Sequence, residues 1–411
     1  MKKVVWVLLI IILALGLRFW GLGNVNKLYF DEVLNVYEAL KYHEGLMPLD
    51  RESQAVPRHP MLAAVFIELG LSWFGFDYLG WRFFSVLAGA FSVAALFLLA
   101  RELFSLRAAL LSAGLLAINF LHLVLSRAAM VDSYLVCFLL FGFYFLARSL
   151  KRTDSKYLLL AGTFFGLSLA TKWVALLSLL SVLAIYFLIS RDPKKVARGL
   201  AQLLLFPVLI FLLASLYFNL SAGMTPLSWA QFEINNFLHH RQFSYVHPHT
   251  APAWSWPFLL KATPFHSSDV GKDMVRVVVA FGNPAVYWVM LPVLAYLVYA
   301  FRKKRQPALL FVLIGFFGFY LPWLIYQLLA LTPMFKTRTV FFYYFMPAIP
   351  FYLMGLSYVL DNLLKDRRGR VAAGSYLALV LGLFFYFSPI IYGLPIKVDQ
   401  LYRLIWLKGW I

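Results

Sequence analysis

Residues 2–40 read KKVVWVLLIIILALGLRFWGLGNVNKLYFDEVLNVYEAL, and they decide the class of fold. Two lysines open an unbroken apolar run from Val4 to Trp20, within the ~17–25 residues that a helix needs to cross a bilayer. Cations ahead of an apolar stretch resemble a signal peptide. No small-residue cleavage site follows, so the run is expected to stay as a first membrane span. Arg18 lies alone inside it, and thirteen positions later comes the acidic pair Asp31-Glu32. A carboxylate can take the proton of a hydroxyl nucleophile, and a guanidinium can hold an anionic leaving group. The pair therefore suits chemistry on something that arrives from the membrane. Solvation of a helix end is the plainer use for two acids at that place.

Working outward, the composition agrees with the opening stretch. The 411 residues are 62% hydrophobic, 18% aromatic and 13% charged, with a mean hydropathy of +0.78. A soluble globular domain, about half apolar, is excluded. The net charge of +19 does not signal nucleic acid, because the basic runs fall in short gaps between apolar spans. The single cysteine, Cys137, leaves no intramolecular disulfide framework and no cysteine-based metal site. Further spans are expected near 81–100, 107–125, 133–149, 157–172, 173–190, 199–218, 284–301, 307–330, 339–360 and 371–394. With the first run, that makes about eleven transmembrane helices in one all-α polytopic domain over 1–411.

Cations orient these spans. Lys2-Lys3, Arg101 and Arg107, Lys151-Arg152, Arg191 with Lys194-Lys195, the run Arg302 to Arg305, and Arg367-Arg368 with Arg370 occupy alternate gaps. They are assigned to the cytoplasm, with the N-terminus. The opposite side receives two long segments, 21–80 and 219–283, and all eight histidines map to that side or its rim. In the first segment, Val33, Val36, Tyr37 and Leu40 follow a helical period behind the two acids. Acids at a helix start are favoured by the macrodipole, by ~0.3–1 kcal/mol. The stretch Met61 to Phe76 reads as an interfacial helix. The second segment carries Glu233, His239-His240-Arg241, His247-Pro248-His249 and Trp254-Ser255-Trp256-Pro257. Its histidines raise a divalent metal as an alternative, but their spacing matches no ligand signature. Sugar or phosphate binding suits histidine beside tryptophan better.

Charges inside spans cost ~2.5–3.5 kcal/mol on insertion scales and mark functional sites. Here they are Arg18, Arg82, Arg127, Asp132 and Lys172, with Arg338 at the outer start of a later span. Each lies toward the outward end of its helix under the assigned topology. Arg127 with Asp132 is one local pairing that would account for two of them. Arg18, Arg82, Lys172 and Arg338 together read as a rim that binds an anion.

At these residues the chain resembles the protein O-mannosyltransferases, GT-C membrane glycosyltransferases that use a polyprenyl-phosphate-linked sugar. Arg18 ahead of Phe30-Asp31-Glu32 resembles the family's first span and Asp-Glu motif. Arg58-His59-Pro60-Met61-Leu62, Arg82-Phe83-Phe84-Ser85 and Ser126-Arg127 through Asp132-Ser133 follow in the family's order. So do Thr171-Lys172-Trp173, His247-Pro248 with Trp254 to Pro257, Gly282-Asn283-Pro284, and Arg338-Thr339-Val340-Phe341 leading to Pro347. Three positions depart: Met61 stands for a second proline, His249 for a tyrosine, and Tyr344-Phe345 for a His-Tyr pair. The β-trefoil repeats of the eukaryotic enzymes are absent.

The resemblance implies an inverting transferase that moves a sugar, mannose first, from a polyprenyl-phosphate carrier to Ser or Thr of translocated proteins at the outer face of the cell membrane. Asp31 and Glu32 are implied as catalytic residues. Arg18, Arg82, Arg127, Lys172 and Arg338 are implied at the donor phosphate, and His59, Tyr37, His247, Trp254, Trp256 and Asp132 at the acceptor and sugar. No cofactor is implied, and family members can pair as dimers. Two alternatives stand beside it. One is a related GT-C transferase acting on a lipid or glycan acceptor, as aminoarabinose transferases do. The other is a lipid or sugar transporter, which would show internal repeats and mid-bilayer helix breaks.

Overall fold

The computed structural model describes residues 2–43, 59–152, 155–190, 193–221, 225–242, 247–332 and 339–411. The chain is a multi-pass membrane protein. Among the described residues, seven helices are long and apolar enough to cross a bilayer: Val4–Asn24, Tyr78–Leu103, Val131–Lys151, Gly199–Leu216, Pro284–Lys304, Pro307–Leu329 and Arg367–Tyr392. Leu106–Ala117 and Phe120–Ser126, bent by 59° to each other, make an eighth if taken as one span. Asn119 sits at that bend, and its Oδ1 accepts from His122 N at 3.0 Å to cap the second piece.

Among the described residues, length and composition alone do not confirm the expected count of eleven. Lys156–Leu169, Leu176–Ile189 and Ile349–Leu363 have 14, 14 and 15 residues. At ~1.5 Å per residue they extend ~21–23 Å, short of a ~30 Å hydrocarbon core. The break between the first two is local: Lys172 is extended, with φ −157° and ψ 133°. A short 3-10 turn, Phe342–Phe345, precedes the third.

The chain divides into two compact units. The first comprises Met1–Val25, Val93–Leu125 and Val246–Ile411. Within it Ile349–Leu363 packs on Leu106–Ala117 and Pro307–Leu329. Asp361 accepts from Arg107 Nε at 2.6 Å and from Ser105 Oγ at 2.8 Å. Ser105 also caps its own helix by accepting from Ala108 N.

This unit departs from an all-α expectation through a small antiparallel sheet. Strands β1 (Thr263–Gly271), β2 (Met274–Ala280) and β3 (Ile396–Lys397) run in the order β1-β2-β3. Lys272 and Asp273 turn the hairpin with φ of 54° and 58°, the left-handed pair that two-residue hairpin loops demand.

The second unit comprises Asn26–Ser92 and Ser126–Tyr245. Its centre is the packing of Lys156–Leu169 against Val131–Lys151 on one side and Pro193–Ser221 on the other. Small residues set these approaches, since packing rather than water exclusion drives helix association in lipid. Gly142 faces the Phe165 ring. Gly162 and Gly166, four apart, face Gln202, Phe206, Pro207 and Ile210. A β-carbon at Gly166 would lie 2.5 Å from Ile210 Cβ and 2.8 Å from Pro207 O.

Overpacked cores lose about 1–3 kcal/mol, so Gly166→Leu is expected to destabilise the purified protein by that much and to lower its thermal midpoint. Gly114→Ala, at a position with nothing within 4 Å, should stay within about 0.5 kcal/mol of wild type. Equal midpoints for Gly166→Leu and wild type in scanning fluorimetry would mean that the two helices do not meet at this glycine.

Candidate active site

The acidic pair sits at the start of helix Glu32–His43, entered through a tight turn. Glu32 N donates to Tyr29 O at 3.1 Å, and Tyr29 N donates back to Glu32 Oε2 at 3.2 Å. Phe30, inside the turn, has φ 52°, a left-handed conformation that is costly for a bulky residue. That backbone sends the two adjacent acids into different surroundings: Glu32 is fully buried, whereas Asp31 is half-buried.

Glu32 has no acceptor capacity to spare. Arg82 clamps it in a fork, Nε on Oε1 at 2.7 Å and Nη2 on Oε2 at 2.8 Å. Ala129 N donates to Oε1 at 2.8 Å. With Tyr29 N, four donors meet a group that has about four lone-pair sites. Arg82 is held in turn by Lys27 O at 3.1 Å and lies 4.6 Å over the Tyr29 ring. Burial pushes the Tyr29 phenol up to about 12, so the ring stays neutral beside the guanidinium. Asn35 Nδ2 donates to Ala129 O at 2.7 Å, which fixes the turn after Ser126 from its other side.

A second pair forms nearby in sequence order. Lys172 Nζ donates to both oxygens of Asp132, at 2.9 and 2.8 Å, with both side chains buried. The local pairing of Asp132 with Arg127 suggested by their proximity in sequence is therefore replaced by a partner 40 residues away. Asp132 lies in the first turn of Val131–Lys151, where the dipole favours an acid. Leu62 N donates to Ala170 O at 3.1 Å, which ties the segment after His59 to the end of Lys156–Leu169. Arg127 is 6% exposed, His59 is half-buried and Tyr37 is exposed. Arg82 and Lys172, expected at the donor phosphate, thus have carboxylate partners.

The remaining candidates belong to the first unit. Arg18 is fully buried; its Nη1 donates to Ala14 O at 3.0 Å, and Nη2 lies 2.7 Å from His122 Nδ1. Trp256 is buried and donates from Nε1 to Ala251 O at 2.8 Å; Trp254 is exposed. His247 and His249 have ring centroids 5.4 Å apart. Burial, then the neighbouring His247 and Lys261, hold His249 below its usual value. Arg338 and Arg58 lie outside the described residues, as do the side chains of His239, His240 and Arg241. Among the described residues, no three His, Cys, Asp or Glu side chains gather at one point.

Reading the sequence missed Tyr29, Asn35, the Ala129 amide and the partnership of His122 with Arg18. Asn35, the Ala129 amide and His122 act across long stretches of chain, and Tyr29 acts on Glu32 through its backbone N–H, which residue type does not mark.

Comparison with known proteins places this geometry. The family described as dolichyl-phosphate-mannose-protein mannosyltransferase matches residues 58–218. The C-terminal four-transmembrane region of protein O-mannosyltransferase matches 221–410. The polyprenol-phosphate-mannose–protein mannosyltransferases of Corynebacterium glutamicum and Mycobacterium tuberculosis are each 26% identical, over 98% of this chain and 92% and 91% of theirs. The S. cerevisiae protein O-mannosyltransferase Pmt1-Pmt2 complex bound to the sugar donor superposes with a TM-score of 0.84 at 15% identity, over 100% of this chain and 93% of that one. ArnT from Cupriavidus metallidurans bound to undecaprenyl phosphate gives 0.61 at 17% identity, covering 97% and 72%. With an Asp-Glu turn anchored by a buried arginine inside that GT-C fold, the chain belongs to the protein O-mannosyltransferase family of membrane glycosyltransferases.

Proposed function

We propose that this enzyme transfers mannose from a polyprenyl-phosphate carrier to Ser or Thr hydroxyls of translocated polypeptides, at the outer face of the membrane. One observation carries the chemical assignment. Of the two adjacent acids, Glu32 has its lone pairs taken by four donors, whereas Asp31 is half-buried. Asp31 is then the base and Glu32 the positioning residue. Full-length similarity to mannosyltransferases that use polyprenol-phosphate-mannose supports the donor. Basic residues in last turns, such as Arg302 to Lys304 and Arg148 with Lys151, support cytoplasmic ends for those helices.

In the reaction the acceptor hydroxyl loses its proton to Asp31 as its oxygen attacks the anomeric carbon. The bond from that carbon to the phosphate oxygen breaks, its electron pair leaves with polyprenyl phosphate, and the sugar inverts. The phosphate gains a charge, which a cation near the site offsets. Arg127 is assigned that role in the second unit. Arg82 and Lys172 can contribute only the N–H groups that their carboxylates leave. His59 and Tyr37 are assigned to the acceptor side. No metal is needed by these steps.

Loss of a general base lowers rate about 10²–10⁴-fold. Asp31→Asn is therefore expected to lower kcat by that range in a labelled-donor assay with a Ser/Thr-rich peptide, in protein that still folds. Turnover close to wild type would remove Asp31 as the base. Glu32→Gln should act on the fold as well as on activity. It places an amide against donors and leaves a buried guanidinium unpaired, at a cost of about 3–5 kcal/mol.

The Lys172–Asp132 pair yields a coupling test. Lys172→Met and Asp132→Asn should each destabilise by about 3–5 kcal/mol, and the double variant by clearly less than their sum. Additive losses in denaturation midpoints would mean that the two side chains do not depend on each other.

A further inference from the structure

Three carboxylates are buried among the described residues of the second unit: Glu32, Asp132 and Glu233. The first two meet cations. Glu233 is 5% exposed, and neither of its oxygens meets a well-aligned hydrogen-bond donor. Leaving such a group unmet costs about 1–3 kcal/mol, and more when it is charged. Burial pushes its carboxyl up to about 7, with Trp229 opposing the rise.

Its neighbours form a line of rings. Trp229 lies one turn earlier on Pro226–Gln242, and its buried indole N–H is close enough to the carboxylate to oppose that rise without forming a well-aligned bond. The Trp229 ring lies 6.4 Å from that of Phe211, and Phe211 lies 5.4 Å from Trp173. Trp173 directly follows Lys172, the partner of Asp132. An acceptor-only carboxylate, an N–H donor and aromatic faces suit a pyranose: its hydroxyls donate and accept, and its C–H face lies flat on rings. A peptide hydroxyl alone would use the carboxylate but not three rings in series.

We propose that Glu233, Trp229, Phe211 and Trp173 form the subsite for the sugar of the lipid-linked donor, with the Glu233 carboxylate accepting from sugar hydroxyls and the Trp229 indole donating to a sugar oxygen. The subsite rests on the transferase reading and deepens it. It makes Glu233 a determinant of which sugar is carried, separate from the groups that hold phosphate.

The test uses the full chain purified in detergent, polyprenyl-phosphate-mannose, a Ser/Thr-rich peptide, and sugar-free polyprenyl phosphate as competitor. Glu233→Gln is expected to raise KM for the donor about tenfold to a hundredfold, with the inhibition constant of the sugar-free lipid unchanged. Trp229→Phe, which keeps a ring and removes the N–H, should shift the same constant in the same direction by less. A merely structural role would weaken both lipids alike and lower the thermal midpoint, and that result overturns the subsite. So does an unchanged donor KM, or a rise confined to the KM for peptide, which would put the acceptor there instead. Transfer by wild type with a silent Glu233→Gln removes the subsite alone. No transfer by wild type from any polyprenyl-phosphate sugar removes the functional reading, and the subsite with it.

Discussion

The bidentate contact between Glu32 and Arg82 is the constraint on which the rest of the site depends. Both side chains are almost wholly buried, and desolvating two such ions costs several kcal/mol each. Attraction offsets that cost only when the geometry is good and the leftover donors and acceptors are matched. Here Ala129 N, Tyr29 N and Lys27 O supply the matches. Three stretches remote in sequence, around residues 29, 82 and 129, are therefore locked together at one carboxylate. Asp31, one residue away, inherits a position fixed by that lock and is half-buried.

Asp132 and Lys172 repeat the device at a second point. Each pair is neutral as a unit, which lowers the penalty of holding charge within a largely apolar bundle. Neutral pairs also leave the local field to the groups outside them. The bond from Leu62 N to Ala170 O adds the segment that follows His59 to the same framework. A rigid frame around one half-buried acid is the arrangement that proton transfer at a fixed distance requires.

Much of this was legible in the sequence. Apolar runs with basic flanks announced the bundle, and Asp31-Glu32 ahead of a helical period pointed to the helix start that carries the candidate site. Hydropathy alone does not register backbone breaks, so the two apolar runs that meet at the extended Lys172 fold as helices of 14 residues each. The bend at Asn119 escaped for the same reason. The strand Met274–Ala280 did have a signal, since Val275, Val277, Val278 and Val279 are β-branched. Pairings across 50 and 40 residues had none, because a charge in a span says that it needs a partner but not which one. The different surroundings of the two adjacent acids had no sequence signal either. They arise from one left-handed residue, not from residue type.

That residue, Phe30, carries a backbone cost of its own. Its φ of 52° stores strain of ~1–3 kcal/mol, which glycine at the same place would largely release. A glycine would also loosen the peptide that aims Asp31. Glycine at this one position would therefore exchange backbone strain for a looser hold on the peptide that carries Asp31.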